Sequence, residues 1–405
     1  MNIVLVDFWS DGNMGDAIMQ KEIQRQVFKN STQRIDIISC FGSNQNQINT
    51  FHESKTYADS NWHSAFFKTY IKLDDYYNKK YSNRYTRLFK TVLSIFLTDL
   101  KLVLLKFGFN FFDSTKSEVI KNADFFVFNG RNYRDYNSKL KNYINNRPLE
   151  IHHYLISYLN KDSLKLNAGF SMWGYPTNSL KNLLKLWNHS SYTNISRESF
   201  SYNFLKNDLK KIQIEKDLSF PFISNTIKIN NSKTKIVAII LTDVNSQNNY
   251  INNLNIIISQ LREENFEITI VNQVYLTHES TNHLLPKLIH YDKVYNTKNL
   301  KSLIEFYSKC TFVISTRMHA SIFSLSQNIP TASISYDKGA KWNIITDEIT
   351  NYPLFSPNDS FGNHVLDYIK SKDSELHAFE FNKIVYSYKK EYINEAIFNF
   401  NSNVK

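Results

Sequence analysis

The sequence predicts an α/β protein made of two doubly wound domains. Two observations carry that expectation. Apolar runs of strand length alternate with segments whose apolar residues recur at helical spacing, the mark of a parallel sheet covered by helices. The series then begins again after a polar, irregular span at 225–234 (NTIKINNSKT). Ile3 to Phe8 reads as the first buried strand. After a loop from Trp9 to Gly15, the stretch Asp16 to Phe28 places Ile18, Met19, Ile23 and Val27 at helical spacing, and Arg34 to Ser39 resumes as a strand, completing one βαβ unit. Further strands are expected at Phe125 to Phe128, Leu164 to Phe170 and Thr193 to Ser196. The second series has strands at Ile236 to Leu241, Ile268 to Val274, Phe312 to Ser315 and Thr331 to Ser335. Its helices fall at Tyr250 to Glu264, Leu300 to Cys310 and Met318 to Ser326. The expected division is a first Rossmann-like domain over 1–224 with an apolar helical insertion near 62–112, a linker over 225–234, and a second such domain with C-terminal helices over 235–405. The two would face one cleft.

The 405 residues carry 48 Lys and Arg against 37 Asp and Glu, a net charge of +11, with 42% hydrophobic residues. That balance excludes disorder and coiled coil for the whole chain. A basic chain raises nucleic acid as a partner, but no zinc-finger spacing, RNP-like motif or extended Lys/Arg block is present, so none is expected. An anionic small substrate or an acidic membrane surface fits better. Cys40 and Cys310 are too few and too far apart for a disulfide framework or a thiolate metal site. Met1 to Asp7 has no basic region or small-residue cleavage site, so no secretion signal is read and a cytoplasmic protein is expected. Between Arg87 and Phe112 the chain is strongly apolar, yet Asp99, Lys101 and Lys106 cut it into pieces shorter than the roughly 20 residues of a membrane span. The segment is expected either to pack as a helical subdomain on the first sheet or to meet another subunit or an anionic membrane, making the protein peripheral on the cytoplasmic face.

Three strand-to-helix corners carry residues suited to chemistry. The turn Asp11-Gly12-Asn13-Met14-Gly15-Asp16 opens a helix, whose unpaired N–H groups and positive dipole end suit an anion or a sugar hydroxyl. Gly12 and Gly15 allow close approach, while Asn13 and Asp16 bring an amide and a carboxylate to the same mouth. Asp16 serves equally well as a simple helix cap. GxGxxG spacing is lacking, so no dinucleotide site is read. The second corner, Ile314-Ser315-Thr316-Arg317-Met318-His319-Ala320, puts a forked cation and a group titrating near neutrality at the C-terminal edge of a sheet, where open α/β sheets bind ligands. At the third, Ser196-Arg197-Glu198-Ser199, Arg197 is placed to face the same space. Tyr336-Asp337-Lys338, with Lys341 behind it, adds a cation at the edge of the second sheet.

In order along nearly the whole chain, Asn13-Met14-Gly15-Asp16, Asp124-Phe125-Phe126-Val127, Arg197-Glu198-Ser199-Phe200-Ser201, Asp217-Leu218-Ser219-Phe220 and Arg317-Met318-His319-Ala320 through Pro330 to Tyr336 resemble the polysaccharide pyruvyl transferases. The resemblance implies a two-domain, GT-B-like fold. It also implies transfer of a pyruvyl group from phosphoenolpyruvate to two hydroxyls of a sugar, forming a ketal on a cell-surface polysaccharide or its lipid-linked precursor. No cofactor or metal is implied beyond phosphoenolpyruvate as donor. Arg317, Met318, His319, Arg197 and Lys338 would bind the donor, and His319 and Asp16 would carry acid/base chemistry. Asn13, Asp16, Asn129 and Arg131 would bind the acceptor. Met318 stands where the family usually has Leu, Glu198 where it has Asp, and Lys338 and Lys341 straddle the place of its Lys. Asn129-Gly130-Arg131-Asn132 replaces a run of glycines, so Arg131 either narrows a backbone-lined pocket or supplies a cation there. Two other readings stand beside this one: a GT-B glycosyltransferase using a nucleotide sugar, and a catalytically degenerate scaffold of glycan assembly.

Overall fold

The computed structural model describes residues 1–8, 14–29, 35–39, 55–57, 84–112, 114–135, 138–174, 177–227, 234–242, 247–273, 282–297, 299–335 and 340–403. The chain forms two compact units. One comprises Met1–Asp11, Met19–Asp217 and Glu391–Lys405, the other Gly12–Ile18 and Leu218–Lys390.

The first unit is built on β1 (Ile3–Phe8), β2 (Ile35–Ser39), β3 (Lys55–Tyr57), β4 (Phe125–Asn129), β5 (Asn132–Arg134), β6 (Leu164–Trp173), β7 (Tyr192–Ser196) and β8 (Ile212–Ile214). Its sheet runs β3-β2-β1-β4-β6-β7-β8, with β5 also on β6. The pairings are parallel, so the strands read as continuous apolar runs rather than alternating ones; all five residues of β4 are buried. Phe126, Phe128, Phe170, Met172 and Trp187 form the centre of the core, each such side chain contributing about 1.5–3 kcal/mol by leaving water.

β4 and β5 both pair with β6, and the kink between them falls at Gly130-Arg131. Opposite it, β6 bulges at Gly169, whose φ is +71°. A Cβ on Gly130 would sit 2.5 Å from the Ala168 carbonyl oxygen and closer still to that of Gly169. The one glycine left of the expected run is therefore required by backbone approach.

The second unit holds β9 (Ile236–Ile240), β10 (Glu267–Asn272), β11 (Lys293–Asn296), β12 (Phe312–Ser315), β13 (Thr331–Ile334) and β14 (Leu354–Phe355), ordered β11-β10-β9-β12-β13-β14 and parallel throughout. Ile239, Leu254, Ile257, Ile268 and Ile314 centre its core. The helix Met318–Ser326 packs closely on this sheet because its inner face is small. Ser321 Oγ lies 2.7 Å from Ser333 Oγ, and the Tyr352 hydroxyl, 2.8 Å from Ser333 Oγ, donates to the Thr331 carbonyl at 2.8 Å.

The units divide the chain differently from the expected boundaries. The helix Ser219–Thr226 belongs to the second unit, where Phe220 meets Phe381 edge-on at 5.3 Å and Ser224 Oγ donates to the Tyr388 carbonyl. The last helix, Tyr392–Asn403, returns to the first unit. There the side-chain oxygen of buried Gln26 accepts from the N–H groups of Ile393 and Asn394, and Glu391 pairs with Arg25 at 2.8 Å and Lys29 at 2.6 Å. Of the expected linker, residues 228–233 lie outside the described residues, as do residues 62–83 of the expected insertion. The rest of that insertion includes a 23-residue helix, Arg84–Lys106, whose inner face buries Ile95, Thr98 and Leu102.

Candidate active site

In the second unit, β12 ends at Ser315 and the chain turns into the helix Met318–Ser326 with Arg317 as its N-cap residue, in extended backbone. The turn is fixed locally: Ser315 Oγ accepts from the Arg317 N–H and donates to the Arg317 carbonyl, both at 2.9 Å. Arg317 makes no side-chain cap, and a helix start carries a positive end that suits an acceptor group. Thr316 Oγ1 ties the same turn to the Ile240 carbonyl at 3.0 Å. The Arg317 charge reaches Tyr250, whose phenol burial pushes up in spite of that cation and the Thr316 hydrogen bond.

The second sequence feature arrives from the far end of the chain. The helix Met14–Phe28 begins in this unit, its Met14 N–H donating to the Gln273 carbonyl at 3.4 Å. Its second residue, Gly15, is covered by the His319 ring: a Cβ there would lie 2.9 Å from His319 Cγ, and nearer to Nδ1. Gly15 is not in the left-handed region, so glycine is needed here for room and not for backbone freedom. The first turns of two helices, each with a positive end, thus meet at His319. This is a setting for an anion beside a group able to move a proton.

Met318 is buried, so its side chain packs in the core and what it can offer a ligand is backbone at the helix start. Asp16 lies in the first turn of the Gly15 helix. Asn13, Lys338 and the side chain of Asp16 lie outside the described residues.

The first unit holds the remaining expected site residues, and two of them are buried in it. Arg197, expected to bind the donor, is 4% exposed. Its Nε donates to Ser171 Oγ at 2.9 Å, its Nη2 to Asn132 Oδ1 at 2.6 Å, and its Nη1 reaches Asp217 Oδ2 at 3.2 Å. In this structure Arg197 thus joins β5, β6 and Asp217. Its neighbour Glu198 caps the helix Ser199–Leu205 by accepting from the Ser201 N–H at 2.8 Å. Asn129, expected to bind the acceptor, is 2% exposed, with Nδ2 3.5 Å from the Asp7 carbonyl. Arg131 is only partly buried and its Nη2 donates to the same carbonyl.

That carbonyl belongs to a cluster the sequence reading passed over. Asp7, in left-handed backbone with φ of 65°, sits where the register of β1 slips against β2. Its carboxylate is fully buried and accepts from His152 Nδ1, a side chain on the helix Lys139–Leu159. Burial raises the Asp7 pKa, but the charge and hydrogen bond of His152, with Arg131 and His153, outweigh it and hold the carboxyl well below the ordinary range. Burial also pushes His153 down to about 3, with His152 and Lys165 adding to it against Asp7. Its neutral ring stacks on Phe128 at 4.0 Å and lies 3.3 Å from the Tyr133 hydroxyl. The signal for this cluster was an aspartate ending an otherwise apolar strand, and two histidines on an apolar helix face. Among the described residues no three His, Cys, Asp or Glu side chains gather as a metal site would require.

Two parallel-sheet α/β units in one chain are the arrangement of the GT-B-like fold. Solved structures of that fold resemble the chain over nearly its full length. HepE of Anabaena in complex with UDP-glucose matches with a TM-score of 0.56 and 10% identity, covering 100% of both chains. MnaA of S. aureus with UDP gives 0.59 and 9%, covering 98% of this chain and 95% of that one. A putative UDP-N-acetylglucosamine 2-epimerase of Listeria monocytogenes gives 0.57 and 9%, covering 98% and 94%. At such identities the likeness is one of fold. No curated protein matches the sequence. The chain belongs to the polysaccharide pyruvyl transferase family, whose model matches residues 13–338.

Proposed function

We propose that the protein transfers a pyruvyl group from phosphoenolpyruvate to two hydroxyls of a saccharide, releasing phosphate and leaving a carboxyethylidene ketal. The observation that carries this reading is the meeting of His319 with Gly15 beside Arg317, in a chain of this family. Phosphoenolpyruvate brings a carboxylate and a phosphate. The Arg317 fork suits either group, and the N-terminal backbone of the helix Met318–Ser326 suits the second. Addition of the first sugar hydroxyl to C2 forms a C–O bond while a proton goes to C3, turning methylene into methyl; His319 is the acid for that step. The hydroxyl gives up its proton, with Asp16 as the group to orient or accept it. Loss of phosphate and attack of a second hydroxyl at the same carbon then close the ketal, and the second hydroxyl proton leaves with phosphate.

The test is to incubate purified protein with phosphoenolpyruvate and a panel of saccharide acceptors, following phosphate release and the mass gain of a carboxyethylidene group. Wild type turns over, and His319→Ala abolishes turnover while the far-ultraviolet spectrum and melting temperature hold. Turnover of a nucleotide sugar instead of phosphoenolpyruvate, or an unchanged rate in His319→Ala, would overturn the assignment.

A further inference from the structure

The second unit carries a phenol where its core has use only for the ring. Tyr250 lies in the opening turn of the helix Gln247–Glu263, 0% exposed, with its ring centroid 6.2 Å from that of Phe361. Phenylalanine would fill that space equally well. The hydroxyl is poorly served: it reaches Thr316 and the Thr242 backbone, yet completes no hydrogen bond of full geometry. Thr242 Oγ1 is a second buried oxygen there without a partner. A hydroxyl buried in this state lowers stability, so its place in the fold needs a reason other than packing.

The neighbours of the hydroxyl supply one. β9 and β12 pair with Ile240 opposite Ser315, so the residues just past both strands meet at the C-terminal edge of the sheet. Thr316, 4% exposed, is pinned there twice: its N–H donates to the Ile240 carbonyl at 3.2 Å and its Oγ1 to the same oxygen at 3.0 Å. With its own proton committed to Ile240, Thr316 Oγ1 can only accept from Tyr250. The phenol oxygen then keeps its lone pairs for a cation, and the Arg317 charge reaches it. Polarised in one direction and shut away from water, such a chain of hydroxyls acts more strongly than its separate links. We infer that Tyr250 is a positioning residue for Arg317: its hydroxyl, backed by Thr316 and the Ile240 carbonyl, holds the guanidinium in the orientation that receives the carboxylate or phosphate of phosphoenolpyruvate. Being fully buried, Tyr250 does not itself touch the donor. The inference rests on the donor site proposed above, but its effect on Arg317 is read without any donor.

The experiment compares the full chain with its Tyr250→Phe variant, which keeps the ring and removes the hydroxyl. In the ligand-free protein, the Arg317 Nε–H resonance, assigned by its loss in Arg317→Lys, should shift. The Kd for phosphoenolpyruvate by calorimetry should rise about tenfold, the worth of one hydrogen bond to a charged group, while the melting temperature holds or rises. A tyrosine with a packing role alone would give the reverse pattern, a lower melt with Arg317 and donor binding unmoved. Thr316→Val, which breaks the relay, should weaken binding in the same sense, and Thr316→Ser should bind as wild type does. In the Arg317→Lys background Tyr250→Phe should cost about twofold or less, because both act through one guanidinium. An unmoved Arg317 resonance, an unchanged Kd in Tyr250→Phe, or the full tenfold loss in the Arg317→Lys background would overturn the inference. A wild type that binds no phosphoenolpyruvate would refute the donor assignment instead, and the Arg317 resonance alone then decides whether Tyr250 holds that side chain.

Discussion

Substituting alanine for Gly15 tests the site through a single methyl group. The added Cβ would lie 2.9 Å from Cγ and 3.1 Å from Cε1 of His319, and nearer to Nδ1. Ordinary carbon contacts begin near ~3.5 Å, so the imidazole must retreat by roughly 0.5–1 Å. Displacements of about 1 Å at a reacting group cost on the order of a hundredfold in rate. The backbone has no objection to the change, because Gly15 lies outside the left-handed region, and alanine in a helix is favoured over glycine by about 1 kcal/mol. Gly15→Ala should therefore melt within about 1 kcal/mol of wild type, while kcat/KM for phosphoenolpyruvate-dependent phosphate release falls roughly a hundredfold. The His319 imidazole resonances should move in the same variant, a readout that needs no acceptor. Combining Gly15→Ala with His319→Ala should add no further loss, because both act through one ring. Wild-type turnover with unmoved His319 resonances would refute the reasoning.

Other consequences are open to measurement. Arg317→Lys should weaken phosphoenolpyruvate binding about tenfold by calorimetry with an unchanged melt, because a point charge cannot replace the planar fork. Gly130→Ala should lower stability to denaturant by about 1–3 kcal/mol, since its Cβ meets the β6 backbone and has no flexible neighbour to displace. Acid should destabilise the first unit from near neutrality. His153 has its folded pKa at about 3, below the ordinary 6.5, so the unfolded chain binds the extra proton between those values and stability falls as pH falls. The slope from this group is at most about 1.4 kcal/mol per pH unit. Asp7 acts in the same sense further down, its contribution being lost only as pH drops below about 4 toward its folded pKa. His153→Phe, which keeps the stack on Phe128, should flatten the denaturation profile between pH 6.5 and 3; an unchanged profile would remove His153 as its source.

The alternation of strands and helices was legible because burial imposes a local period: β1, β4, β9 and β12 are continuous apolar runs, and the helix Met318–Ser326 follows its strand directly. The short strands β3, β5, β8, β11 and β14 escaped notice. They have two to four residues each, too few for a period to show. The return of the last helix to the first unit had no local sign either, since it depends on Gln26 and Glu391 finding partners at opposite ends of the chain.

For the site, the sequence alone marked the strand-to-helix corners and put Arg317, His319 and Gly15 among the residues that matter. Residue type and position after a buried strand are local properties. Only the tertiary structure brought Gly15 under the His319 ring, engaged Arg197 with Ser171, Asn132 and Asp217, and buried Asn129. It also paired Asp7 with His152 and chose which apolar face of Arg84–Lys106 would be buried. These are contacts between segments far apart in sequence. Their partners are set by how helices and sheets pack, and a linear pattern carries that information only as the bare fact that a side chain is apolar, charged or small.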